Sequence, residues 1–289
     1  MLELVKRKIK SAEDLLSVVK TMKVLAAVSI QQYEKAVESL GEYNRSVEFG
    51  LQAVLKHIPG EIPTIKSVLK QRLGVIVFGS DQGMVGQFNE VIAHYAVEEI
   101  NTLKVKQENR AVIAVGLRVM SRLEEAGQPV EDCLSLPGSI TAITPVVQDI
   151  ALKMEAWRFE RKIDQIVIFY NGTAGASYKP HRLRLLPVDH KWFQELKSRP
   201  WPSRSLPFFT MDWNRLFSSL IRQHLFVSIF RAFAESMCSE NASRLASMQT
   251  AERNIEEHLD ELNFQFHQER QTSITEELLD IIAGFEALK

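Results

Sequence analysis

Cysteine is scarce. Cys133 and Cys238 are the only two in 289 residues, and they stand far apart, so the chain offers neither a disulfide framework nor a zinc site with CxxC spacing. A reducing compartment is the expected home. No apolar run approaches the roughly 18 residues of a spanning helix. The opening residues, MLELVKRKIK, lack the apolar stretch of a signal peptide. Net charge is close to absent as well, with 35 basic against 36 acidic side chains. That excludes the global positive field behind non-specific nucleic-acid binding. Catalytic signatures are missing too. The seven histidines show no HExxH pattern and no i,i+4 pairing. The adjacent acids Glu256–Glu257, Asp260–Glu261 and Glu276–Glu277 point in different directions on a helix, which makes them solvated faces rather than acid/base pairs. The residues indicate no metal and no cofactor.

Proline is withheld from both ends, and what fills those ends is periodic. With Leu2 as heptad position a, the a residues run Leu2, Ile9, Leu16, Lys23, Ile30, Val37, Asn44, Leu51 and Ile58. The d residues run Val5, Ala12, Val19, Ala26, Tyr33, Leu40, Val47 and Val54. Only Lys23 and Asn44 break the apolar spacing, so residues 1–58 read as a coiled-coil helix, a rod of roughly 80 Å. Residues 212–289 contain no proline and, as their one glycine, Gly284. Asp212 is the expected N-cap of this second helix. Its stripe runs Phe226, Phe230, Phe233, Met237, Leu245, Met248, Ile255, Leu259, Leu262 and Phe266. The spacing then slips to Ile274 before resuming at Leu278, Ile281, Phe285 and Leu288, a stutter that straightens a supercoil. Two such helices in one chain bury their seams as an antiparallel pair.

Between them, residues 72–190 change character. Leu73–Phe78, Ala111–Val115 and Ile163–Tyr170 are apolar strand runs, the last closed by Asn171–Gly172. Gln87–Ile100, Leu117–Glu125 and Pro145–Arg161 have helical spacing. Alternation of this kind predicts a small parallel-sheet α/β domain, Rossmann-like in order. Residues 191–211, with Pro200, Pro202 and Pro207, form a stiff return to the second helix. The fold class is therefore α/β plus a long antiparallel coiled coil, with the N- and C-terminal helices paired and the α/β domain inserted between them.

The loop Gly79-Ser-Asp-Gln-Gly-Met-Val-Gly86 occupies the place of a phosphate loop. Ser80 and Asp81 are positioned to cap the following helix, and Gly83 and Gly86 to let it approach an anion. Yet the loop is neither GxGxxG nor GxxxxGK[ST], and a tight strand-to-helix turn describes it better. Charge is segregated along the chain. Lys6, Arg7, Lys8 and Lys10 crowd one end, while eleven acids face four bases from Glu240 onward. In an antiparallel pair the basic cluster is expected to neutralise Glu276, Glu277 and Asp280, or else to meet an acidic partner surface. On these residues alone, a free-standing coiled-coil scaffold and a nucleotide-binding α/β enzyme both stand as readings.

Three sets of residues resemble the gamma subunit of F-type ATP synthases. Ile9-Lys10-Ser11 with Val19-Lys20-Thr21-Met22-Lys23-Val24-Leu25-Ala26-Ala27 is similar to that family's IKSV…ITKAMKMVAA. Ser80-Asp81-Gln82-Gly83-Met84-Val85-Gly86-Gln87-Phe88-Asn89 is similar to SDRGLCGxFN. Ser239-Glu240-Asn241-Ala242-Ser243-Arg244, then Met248, Ala251 and Asn254, then Arg270-Gln271, Ile274-Thr275 and Glu277-Leu278 follow its C-terminal pattern in order. The likeness departs at Val28-Ser29, at Gln82, and at His267 and Gln268, where the family carries Asn and Arg. These departures resemble the alternate bacterial branch similar to sodium-translocating enzymes.

The resemblance implies a non-catalytic rotor shaft with no bound nucleotide. Its partners would be an alpha3/beta3 ring, the epsilon subunit and the membrane c-ring. The complex would sit peripherally, as part of F1, on the cytoplasmic face of a bacterial inner membrane. It further implies contacts to the alpha/beta ring from Met22, Lys23, Arg244, Arg270, Gln271, Thr275 and Glu277. Lys23 is expected to turn outward where the supercoil opens, whereas Asn44 stays structural.

Overall fold

In chain order the elements are α1 (Leu2–His57), β1 (Leu73–Phe78), α2 (Phe88–Thr102), β2 (Arg110–Val115), α3 (Leu117–Glu125), β3 (Asp132–Leu134), α4 (Ile143–Glu160), β4 (Gln165–Ala174), β5 (Ser177–Leu186), α5 (His190–Ser198) and α6 (Trp213–Glu286). The computed structural model describes residues 2–57, 72–174 and 177–286. Ile58 and Leu288, assigned above to the seams, lie outside the described residues, as does the side chain of Phe285. The chain divides into two compact units, Met1–Ala27 with Arg244–Lys289, and Val28–Ser243.

The first unit is an antiparallel helix pair. Along α1 every a and d position is withdrawn from solvent, with Val5, Val19 and Ala26 buried and Leu2, Ile9, Ala12, Leu16 and Lys23 half-buried. From α6, Met248 and Leu262 are buried while Leu245, Ile255, Leu259 and Phe266 are half-buried. The heptad period thus selects the face that packs, as knobs-into-holes geometry requires.

The second unit is built on a five-stranded sheet of order β3-β2-β1-β4-β5. β1 lies parallel to both β2 and β4, and β3 parallel to β2. The central strands are covered on both faces, which is why they read as continuous apolar runs. Ile76, Phe78, Ile113, Val115, Ile166 and Ile168 face one core, which α4 fills with Val147, Ile150, Met154 and Trp157. The same core takes in Tyr33 from α1 and Ile229, Phe233 and Met237 from α6. The alternate residues, Val75, Val77, Val112, Ala114, Val167 and Phe169, pack on α2 and α3 through Ile92, Ala96, Ile100, Val119 and Leu123. A third cluster joins Val47, Leu51, Val54 and Leu55 of α1 to Phe193 and Leu196 of α5 and Phe217 and Leu220 of α6.

The structure corrects the sequence reading in several places. The sheet is mixed, because β5 runs antiparallel to β4. β5 (SYKPHRLRLL) is half solvated and opposes Asn171 with Pro180, so it presents no apolar run. Proline, lacking an N–H, is tolerated there because the strand is at the edge. β4 does not close at Asn171–Gly172 but continues to Ala174, since pairing with β5 satisfies its backbone. β3 is only three residues long and was not foreseen. Within the return segment, residues 190–198 form α5, capped by Asp189, whose Oδ1 accepts from Lys191 N at 2.9 Å. The remainder, 199–212, is non-helical. Asp212 does cap α6, accepting from Arg215 N at 3.1 Å.

Candidate partner-contact site

In the helix-pair unit, the polar side chains carried over from the resemblance fall into two groups. Met22 and Lys23 are half-buried. Lys23 does not turn outward. Its Nζ donates to Glu252 Oε2 at 2.5 Å, with Lys23 32% and Glu252 16% exposed. Lys20 adds contacts of 3.9 Å to Glu252 and 3.2 Å to Glu256. A lysine at an a position lies at the rim of the seam, and its flexible stem lets the ammonium reach an acid on the opposite helix. Arg244 is half-buried, whereas Arg270, Gln271, Thr275 and Glu277 are exposed on α6. Thr275 Oγ1 donates back to Gln271 O at 2.8 Å, which leaves the side chains of Arg270, Gln271 and Glu277 presented to the surroundings.

The register in which Lys23 meets Glu252 has a further effect. At equal rise per residue it brings Leu2 level with about Ser273. Residues of α6 beyond that point have no α1 turn beside them. Ile274, Leu278, Leu279, Ile281 and Ile282 are accordingly exposed, from 48% at Ile274 to 66% at Ile281. The resumed stripe after the stutter is therefore not an internal seam. For the same reason Lys6, Arg7, Lys8 and Lys10 do not neutralise Glu276, Glu277 and Asp280, and among the described residues none of those four cations makes an ion pair. The sequence reading also passed over the outward apolar residues of α1. Leu4, Val18 and Leu25 are exposed and share heptad position c, a spacing that was legible.

In the other unit, the 79–86 loop is stitched shut by its own hydrogen bonds. Ser80 N donates to Asn89 Oδ1 at 2.8 Å, Asn89 Nδ2 donates to Ser80 Oγ at 2.8 Å, and Ser80 Oγ donates to Gln82 O at 2.8 Å. Asp81 does not cap α2. Its two carboxylate oxygens accept from Leu117 N at 2.9 Å and Leu136 N at 2.8 Å, which caps α3 and pins the chain after β3. The sequence neighbour loses to a spatial neighbour because β1 and β2 lie side by side. A side chain on Gly79 would meet Val119 Cβ at 2.3 Å, and one on Gly116, at φ +115°, would come within 2.8 Å of Ser80 O. Gly83 is nearly open, since a Cβ there would come no closer than 3.9 Å to Arg118, and Gly86 takes φ +55°. Ser243 Oγ on α6 donates to Val85 O at 2.7 Å, fixing the loop to that helix. Burial, reinforced by Asp81 and Asp132, raises the Cys133 thiol pKa. The loop's polar atoms thus brace the fold.

The structure therefore joins a helix pair that presents side chains to its surroundings with an α/β unit whose phosphate-position loop serves as a structural brace. The chain belongs to the ATP synthase family, whose model matches residues 1–288. Its sequence is 24% identical to the ATP synthase gamma chain of Staphylococcus epidermidis over 285 residues, covering 98% of this chain and 97% of that one. It is 26% identical to that of Azobacteroides pseudotrichonymphae, covering 99% and 98%. The fold is similar to a chain of the Euglena gracilis mitochondrial ATP synthase OSCP/F1/c-ring structure in rotational state 3. That match has a TM-score of 0.66 at 16% identity and covers 99% of this chain and 94% of that one. Within the family this is a gamma-type rotor subunit and not a catalytic one.

Proposed function

We propose that the chain turns as a central shaft inside an alpha3/beta3 ring, standing with the epsilon subunit on a membrane c-ring. Its place is peripheral, on the cytoplasmic face of a bacterial inner membrane. The observation that carries this reading is the apolar end of α6, from Ile274 to Ile282, which is exposed and has no packing partner among the described residues. A contiguous exposed apolar stripe marks a protein-interaction surface, and a ring that encloses the helix supplies the missing cover. Residues 1–58 and 212–289 are assigned to the shaft, 72–190 to the foot, and 191–211 to the return between them.

The shaft acts by presenting a different azimuth to each of three identical sites. Moving a two-state site from 1:99 to 99:1 takes roughly 5.5 kcal/mol of differential contact. Met22, Lys23, Arg244, Arg270, Gln271, Thr275 and Glu277 are assigned to those contacts, with Lys23 acting through its pairing to Glu252. No helix among the described residues is long and apolar enough to cross a membrane, so coupling to ion flow passes through other subunits. His267 and Gln268, both exposed on α6, support a place in the alternate, sodium-type-like branch.

Capture of the native complex through a tag on this chain, followed by identification of its subunits, tests the reading. Alpha and beta chains in a three-to-three ratio with one copy of this chain are expected. Recovery of the chain only as a self-associated oligomer supports the scaffold reading instead.

A further inference from the structure

His224 of α6 stacks on the indole of Trp192 of α5, with ring centroids 4.5 Å apart and planes 24° from parallel. Its Nδ1 is enclosed, with no hydrogen-bond partner among the described residues. This stack lies beside the cluster through which α5, α1 and α6 hold together, where Val188, Phe193, Leu196, Leu51 and Phe217 meet. Neither the rotor role nor the family contacts make use of it.

We propose that the His224–Trp192 stack is an acid-operated fastening. With His224 neutral it holds α5, and the return segment that follows, against the segments of α1 and α6 in the same unit; with His224 protonated it releases them. The physical reason is the hydrogen-bond inventory of imidazole. Neutral, the ring tolerates an enclosed nitrogen that carries a lone pair. Protonated, both nitrogens carry N–H groups, and the one at Nδ1 has nothing to donate to inside the cluster. The proton comes from solvent and no other bond changes.

Attraction to the indole face favours the cation, but the surroundings give it little else. From α1, Glu48 is the carboxylate that acts on His224. It already accepts from Asn44 Nδ2 at 3.0 Å and from Arg199 at 3.2 Å. From α4, Glu155 is engaged with Arg222 at 3.5 Å. From α5 the facing group is the uncharged indole itself. Burial, the larger influence, holds the imidazole pKa below its ordinary value, and Glu48 only partly opposes it. The stabilising contribution of the neutral ring is therefore complete above about pH 6.5 and is lost as pH falls from there through the lower folded-state value.

The test follows tryptophan emission and the imidazole NMR signals of the full chain from pH 8 to pH 4.5, in wild type, H224Q, H224F and W192L. An imidazolium stacked on or leaving Trp192 changes its emission. A step is expected in wild type, with the midpoint of the His224 NMR titration, below about 6.5. It should vanish in H224Q and in H224F, the latter keeping an aromatic ring on the indole if H224Q proves unstable. In W192L the His224 midpoint should move up toward the free-imidazole value, because the indole's cover, which disfavours the cation, outweighs the attraction of its face. The proposal is overturned if the emission step survives in both His224 variants, or if the midpoint is the same in W192L as in wild type.

Discussion

Lys23 Nζ on α1 and Glu252 Oε2 on α6 lie 2.5 Å apart across the helix pair, a contact that the antiparallel register of the unit brings about and that no shifted register would keep. An apolar residue at an a position would hold the helices together with little preference among registers, whereas a lysine needs an acid at one height.

The first expectation concerns that pair. Glu252→Gln leaves the half-buried ammonium without its countercharge and should destabilise the chain by about 1 kcal/mol. Lys23→Met combined with Glu252→Gln restores an apolar seam and should return stability to wild type or above. Urea unfolding of the two singles and the double closes the cycle. Additive losses would show that the two side chains do not act on each other.

Exposed apolar residues at the end of α6 contribute to partners and not to the chain itself. Replacing Ile274, Leu278 and Ile281 together by Ser should leave the unfolding midpoint of the isolated chain unchanged. The same change should lower the ATP-driven ion transport of the assembled complex several-fold, read as acidification or ion uptake in reconstituted vesicles. A fall in the isolated chain's stability by more than about 1 kcal/mol would place these residues in an internal seam after all.

Met22 is half-buried on α1 next to Lys23, and its thioether adapts to a changing neighbour. Met22→Lys adds a third cation beside Lys20 and Lys23. It should reduce coupling between hydrolysis and transport more than it reduces folding stability. Equal transport per ATP hydrolysed in mutant and wild-type vesicles removes Met22 from the contact set.

The brace in the 79–86 loop is predicted to be intolerant. Gly79→Ala puts a methyl within 2.3 Å of Val119 Cβ, an overlap that should cost about 2–3 kcal/mol. Asp81→Ala orphans two backbone N–H groups and should cost about 1–2 kcal/mol. Both are read from denaturant midpoints.

Thiol chemistry should follow burial. Cys238, buried in the core beside Phe233 and Met237, has its pKa pushed up to about 11, chiefly by burial and further by Glu34 and Glu235. At pH 8 its modification by an aromatic disulfide reagent should be limited by unfolding. Cys133, half-buried, should react without it.

Much of the architecture was written in local pattern. Alternating spacings of three and four gave α1 its packed face, and each described a and d residue from Leu2 to Val54 is indeed drawn from solvent. The apolar runs at Leu73–Phe78 and 111–115 announced buried parallel strands, and the edge strand β5 went unseen because its charged outer half resembles a loop. Of the candidate contacts, the sequence placed Arg270, Gln271, Thr275 and Glu277 on α6, and all four are exposed.

What the sequence by itself determined is periodicity: which residues are helical, which face is apolar, and where charge of each sign collects. These are properties of neighbours a few residues apart, and backbone geometry enforces them locally. Only the tertiary structure decided which partner each polar group meets. Lys23 finds an acid 229 positions away, and Asp81 caps a helix 36 positions on instead of the one beside it. The basic start of α1 stops short of the acids it was expected to neutralise. Such outcomes depend on register and strand order, set by the burial of whole faces at once, and no short stretch of sequence contains that sum.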